Sequence, residues 1–279
     1  MTQPYPWRSL NAPLARTTGK SLATGWTPVP ILMYHAVEDE PRPAKYKHFY
    51  VTASEFAFHI RWLKTAGYQP ISLDTLLSAM DGKAALPDKP IVLTFDDGYE
   101  NLIRNAAPLL AELGWPYTVF LVSERIGQRN EWVVAEGYEP TPLLSWPQIH
   151  ELSAQGFARF QPHTVTHPRL KELDEPMIRR EIADCRDQLQ DRLQTAMNCL
   201  CYPYGDYSPR VIEVAREEGM LMAVTTEFGR VRRNDDRFAL PRVSIYHVPP
   251  VSLTYGIGPI NFMWRVATRN DTRRARQGK

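Results

Sequence analysis

Five consecutive residues, Thr94-Phe95-Asp96-Asp97-Gly98, carry the sharpest chemical signal in this 279-residue chain. Two adjacent carboxylates at the end of an apolar run cannot share one environment, because neighbouring side chains diverge in extended backbone. One can bind a metal while the other moves a proton, and Gly98 permits a tight turn there. The plain alternative is a turn or a helix cap, where Asp and Gly are equally at home. A second cluster, His163-Thr164-Val165-Thr166-His167, spaces two imidazoles four residues apart and puts both rings on one side of a helix or a strand. Pro162 and Pro168 flank it, which argues against a helix interior. Two neutral imidazoles and one carboxylate make the open three-ligand set of catalytic zinc sites. Without a carboxylate nearby, two hydrogen-bonded loop histidines would be the simpler reading.

These groups need a scaffold that gathers them. Apolar, β-prone runs at 30–34, 90–95, 117–122, 156–160, 199–202, 221–225 and 243–247 predict strands. Helical spacing predicts helices over 54–66, 74–80, 101–113, 146–154, 175–193 and 208–218, with Ser54 placed to cap the first. Residues 123–145 read as a long loop. The alternation implies a mainly parallel sheet with helices outside. No Gly-rich dinucleotide fingerprint is present, so the expectation is an α/β fold of the deformed (β/α) barrel kind rather than an open sheet. His35, Asp96 and Asp97, His163 and His167, and Pro203-Tyr204-Gly205 each follow a strand. In such barrels the C-terminal strand ends form one rim, where active sites lie.

Composition excludes several classes. Apolar residues make up 43% and charged residues 23% of the chain, and a net charge of +2 is too small for nucleic acid to be the main partner. Three cysteines, Cys185, Cys199 and Cys201, form no disulfide framework and read as buried thiols in a reducing compartment. Residues 1–29 have no secretory pattern and read as an extended lead-in, residues 30–250 as the catalytic domain, and 251–279 as a C-terminal segment with a basic tail. No window approaches a membrane span, so a cytoplasmic protein is expected. The apolar stretch 253–264 followed by arginines could pack on the barrel or make peripheral contact with an anionic membrane; packing is the simpler reading.

In order, T-F-D-D-G, H-T-x-x-H and Y-P-Y-G resemble the motifs of the polysaccharide deacetylases, carbohydrate esterase family four, over roughly residues 30–250. The resemblance implies a deformed (β/α) barrel and a divalent metal, most often zinc. It implies Asp96 as general base, Asp97, His163 and His167 as metal ligands, and the Tyr204 backbone N–H as oxyanion donor. Many members carry an Arg two residues before the Pro of the third motif, where this chain has Cys201. Arg242, in Leu240-Pro241-Arg242-Val243, is the candidate to supply that guanidinium from another strand. Cys201 as a nucleophile would need an activating partner. The segment Ile31–Asp39 resembles the early Tyr-His of biofilm poly-N-acetylglucosamine deacetylases. That makes His35 the candidate general acid, ahead of His247. The implied reaction is hydrolysis of N-acetyl groups on an N-acetylated glycan or a lipid-linked oligosaccharide. Trp146, Tyr204 and Tyr207 are candidate sugar platforms, with core packing favoured for Trp146. Two rival readings are an O-acyl esterase acting on carbohydrate and a catalytically silent glycan-binding module.

Overall fold

The computed structural model describes residues 26–248 and 258–267. In chain order the elements are β1 (Ile31–Tyr34), β2 (Ala36–Glu38), β3 (Tyr50–Thr52), α1 (Ala53–Thr65), β4 (Gln69–Pro70), α2 (Leu73–Met80), β5 (Pro90–Phe95), α3 (Leu102–Asn105), α4 (Ala107–Leu113) and β6 (Tyr117–Leu121). They continue with α5 (Trp146–Ala154), β7 (Ala158–Pro162), α6 (Glu175–Leu193), β8 (Cys199–Cys201), α7 (Pro209–Glu217), β9 (Met222–Phe228), β10 (Leu240–Ser244) and α8 (Gly258–Ala267).

Seven parallel strands run in the order β7-β6-β5-β1-β10-β9-β8, with β4 paired to β5. The path curls into a nearly closed barrel. Its central strands are buried along their whole length, as β1 and β5 show, because helices cover the outside and side chains fill the inside. No backbone ladder joins β7 to β8 among the described residues. The Gln161 side chain crosses that gap instead. Its Oε1 accepts from the Asn198 and Cys199 N–H groups, both at 2.8 Å, and its Nε2 donates to the Ala196 carbonyl at 3.1 Å.

Several boundaries differ from the sequence expectation for identifiable reasons. The helix expected over 101–113 breaks at Ala106, because Pro108 has no N–H for the Arg104 carbonyl and its ring crowds that position. Helix α1 is capped by Thr52, two residues before the expected Ser54. Thr52 and Glu55 form a capping box, the Thr52 side chain accepting from Glu55 N–H and Glu55 accepting from Thr52 N–H at 2.8 Å. The strand expected at 156–160 starts at Ala158, because Gly156 takes a left-handed turn (φ 81°). The last barrel strand spans 240–244 rather than 243–247. Pro241 lies where the pairing register with β9 shifts, a position that tolerates a residue without a donor.

Residues 123–145, expected as loop, hold two short 3-10 helices, Ser123–Arg125 and Glu131–Glu136. Val29, in the lead-in, exchanges both backbone bonds with Val231. In the C-terminal segment, α8 buries Phe262 and Val266, and Phe262 stacks on His59 of α1 at 3.8 Å. Arg265 donates to Asn261, to the Ser244 carbonyl and to the Tyr246 hydroxyl. The other tail arginines lie outside the described residues. No helix among the described residues is long and apolar enough to cross a membrane.

Candidate active site

Asp96 and Asp97 leave the end of β5 in opposite directions because Asp97 adopts a left-handed backbone (φ 70°). Gly98 continues that turn at φ 75°, and a Cβ there would come within 2.7 Å of Leu121. Asp97 turns toward the loop after β7. Its Oδ1 lies 3.3 Å from His163 Nε2 and 3.5 Å from His167 Nε2. All three side chains are buried.

The hydrogen bonding of His163 fixes its tautomer. Nδ1 lies 2.8 Å from the Cys201 carbonyl, an acceptor only, so Nδ1 carries the hydrogen and donates. A neutral His163 then presents a bare Nε2 lone pair to a carboxylate oxygen. Two acceptors facing each other in a buried site need a cation between them, either a metal ion or the proton that the surrounding groups favour, against burial, by raising the His163 pKa above its ordinary value. Zinc bonds of about 2.0–2.1 Å at tetrahedral angles would set ligand atoms about 3.3 Å apart, which matches the observed spacing. The residues therefore fit a divalent ion. Charge is arranged accordingly. Burial pushes His167 down to about 3, keeping it neutral. Burial would raise Asp97, but the neighbouring imidazoles outweigh it and hold its carboxyl below the usual range.

Asp96 points the other way, onto Arg242 of β10. Arg242 Nη1 and Nη2 donate to Asp96 Oδ1 and Oδ2, each at 2.6 Å, and the guanidinium is fully buried. Its Nε donates to the Thr225 carbonyl at 2.8 Å and Nη1 also to Thr94 Oγ1 at 3.2 Å. Cys201 fills the remaining edge, with Sγ accepting from Arg242 at 3.3 Å and donating to Asp96 Oδ2 at 3.5 Å. A second ligand trio, Asp96, His163 and Cys201, also converges, but the guanidinium already supplies its cation. Burial alone would raise the Asp96 carboxyl; Arg242 outweighs it and holds the group below the usual range. Burial raises the Cys201 thiol, which leaves it protonated and inert as a nucleophile.

His35 follows β1, the strand between β5 and β10. Its Nδ1 is buried without a partner, and its ring meets Phe49 edge-on at 6.2 Å. His247 lies elsewhere. It stacks on Tyr50 at 4.9 Å and pairs with Glu55 at 2.9 Å, at the N-terminus of α1. Tyr204 takes a left-handed backbone (φ 59°) in the turn after β8, its ring edge-on to His167 at 4.7 Å and under the Arg169 guanidinium at 4.1 Å. Gly205 follows at φ 69°, where any side chain would collide with Thr226. Trp146 packs against the core, and Tyr207 stacks on Tyr202 at 5.3 Å.

Sequence reasoning missed Trp132, whose ring stacks on His167 at 4.5 Å. It sits in the segment read as loop, where nothing in the spacing pointed to the site. It also missed Thr94 as an Arg242 acceptor and Glu181, which holds the histidine loop. The one signal for Glu181 is an acid inside the apolar stripe of α6.

A parallel barrel whose strand ends join two histidines and an aspartate beside an arginine-held aspartate is the architecture of a carbohydrate deacetylase. The family model "Polysaccharide deacetylase" matches residues 83–223, just over half of the chain, and the chain belongs to that family. A Bacillus subtilis protein, YxkH, is 28% identical over 219 residues, covering 78% of this chain and 71% of its own length. The poly-β-1,6-N-acetyl-D-glucosamine N-deacetylase of Escherichia coli is 25% identical over 248 residues, covering 78% of this chain; the match spans 36% of that longer enzyme. The Streptococcus pyogenes deacetylase PplD, solved in complex with acetate, superposes with a TM-score of 0.71 at 24% identity, over 87% of this chain and 100% of its own.

Proposed function

We propose that this protein is a zinc-dependent hydrolase that removes N-acetyl groups from amino-sugar residues of an exopolysaccharide or its precursor. The observation that carries the reading is the meeting of ligand atoms from Asp97, His163 and His167 within 4.8 Å of one another, with Asp97 Oδ1 3.3 Å and 3.5 Å from the two Nε2 atoms, next to an Asp96 that is anionic and fixed. The E. coli relative's named substrate supports the choice of glycan.

Asp97, His163 and His167 would hold the ion, which supplies a Lewis acid that acidifies water and polarises an acyl carbonyl. Asp96 accepts the proton of the attacking water. Both its oxygens are tied to Arg242, so it takes that proton without turning away. The Tyr204 N–H, set by a left-handed backbone, faces the oxyanion as it forms. His35, at the end of β1 between the strands that carry Asp96 and Arg242, donates a proton to the departing amine. Acetate and a free amino sugar leave.

The test is acetate release from β-1,6-linked N-acetylglucosamine oligomers by the full chain, with chelator and with zinc restored, beside the Asp96→Asn variant. Zinc-dependent release that the variant lacks supports the reading. Zinc binding with no release from N-acetylated oligomers, but release from O-acetylated sugars, replaces it with the esterase.

A further inference from the structure

The loop carrying both histidines is contorted. Thr164 and His167 both take left-handed backbones, at φ 68° and 67°, a conformation that is unfavourable at residues other than glycine. Something must hold it before an ion arrives. The loop's carbonyls are held by the segment after β6, through Ser123 N–H to Thr164 O and Glu124 N–H to Val165 O, both at 3.1 Å. The His167 N–H donates within the loop to Thr164 Oγ1 at 3.0 Å, and those of Val165 and Thr166 turn the other way, onto one side chain of α6.

That side chain is Glu181. Its Oε2 accepts from Val165 N–H at 2.8 Å and Thr166 N–H at 2.9 Å, and its Oε1 from the Thr166 hydroxyl at 2.6 Å. It is 5% exposed and shares the inner face of α6 with Ile178, Ile182 and Cys185. A carboxylate among such neighbours is unfavourable unless its hydrogen bonds are complete. Here all three donors come from the two residues midway between His163 and His167, so the charge is spent on the curvature of that loop.

We propose that Glu181 is a positioning residue. It presets the curl that aims both imidazole Nε2 atoms at Asp97, and thereby sets the affinity of the site for its divalent ion. The inference rests on the metal-site reading above. Groups that orient metal ligands from behind typically change affinity 10–100-fold, as an order of magnitude, when removed.

The experiment measures zinc affinity of the full chain by competition with a chromophoric chelator, together with the melting temperature of the metal-free protein. Glu181→Leu keeps an apolar helix face and removes all three bonds; about a 10–100-fold weaker affinity is expected. Glu181→Gln should recover part of that loss, because one amide oxygen still accepts the two N–H groups and its NH2 can donate to the Thr166 hydroxyl. Thr166→Val removes one bond only and should give a smaller loss; it also decides the matter if Glu181→Leu does not fold. Wild-type zinc affinity in Glu181→Leu, or in Thr166→Val when that variant must stand alone, overturns the proposal, and a lower melting temperature with unchanged affinity reduces Glu181 to a structural residue. Asp97→Ala is the control. If it binds zinc as well as wild type, the metal-site reading itself has failed and the role of Glu181 with it.

Discussion

Arg242 and Asp96 meet edge to edge inside the barrel, guanidinium and carboxylate joined by two bonds of 2.6 Å with no exposed surface on the arginine. The pair spans two strands that are not neighbours, β10 and β5, with β1 between them. Arg242 lowers the Asp96 pKa against the effect of burial. Replacing it with Gln should therefore raise that pKa and move the acidic limb of kcat/KM against pH to higher pH. Because breaking a buried pair leaves a charge uncompensated, the variant should also lose about 3–5 kcal/mol of stability. An unmoved acidic limb would show that Asp96 is not the group titrating in catalysis.

The three-ligand reading predicts that chelation abolishes acetate release and that added zinc restores it. In Asp97→Ala, zinc should restore nothing. Metal analysis of the dialysed protein beside the activity assay checks both statements.

His35 and His247 can be separated kinetically. A general acid is typically worth about 10²–10⁴ in rate, so His35→Gln should lower kcat by that order while leaving KM within a few-fold. His247 is tied to Glu55 and Tyr50, and His247→Gln should keep nearly full activity. The reverse result would exchange the two assignments.

His59 predicts a pH-dependent stability. Burial between Tyr34 and Phe262 pushes its pKa from 6.5 down to about 3. Between those values the unfolded chain binds a proton that the folded chain does not, so stability falls as pH drops below 6.5. The slope contributed by this group is at most about 1.4 kcal/mol per pH unit. His59→Gln, which can still bond the Tyr34 hydroxyl but cannot titrate, should shrink the stability difference between pH 7 and pH 5 in denaturant titrations.

Gly205→Ala should damage the turn that presents Tyr204. The new Cβ meets Thr226, whose backbone nitrogen lies 2.8 Å away, and the residue must keep φ at 69°. A loss of a few kcal/mol is expected, about 1–3 kcal/mol of it from the backbone alone. Thermal melts beside kcat will show it.

The parts of the site legible in sequence are those whose chemistry is written in adjacent residues. Asp96-Asp97 and His163–His167 stand at the ends of strongly apolar strands, and the barrel class follows from the alternation that separates them. The motif gap at Cys201 pointed to an arginine elsewhere, and the structure places Arg242 on Asp96. Trp132 and Glu181 were not legible, because their roles arise only when a loop and a helix distant in sequence close on the histidines. Boundaries failed where one residue overrode a pattern: Pro108 cutting a helix, Gly156 delaying a strand, Pro241 masking the start of β10.

The side-chain closure between β7 and β8 has a consequence for how the molecule holds together. A barrel zipped everywhere by backbone ladders would leave its metal centre indifferent to closure. Here the last seam is stitched by Gln161 and, two residues further on, by His163 reaching the Cys201 carbonyl. An ion that grips His163 therefore also clasps the seam, and an opening seam loosens its grip on the ion. Occupancy and closure are linked quantities, so amides of Asn198 and Cys199 should exchange more slowly once zinc is bound.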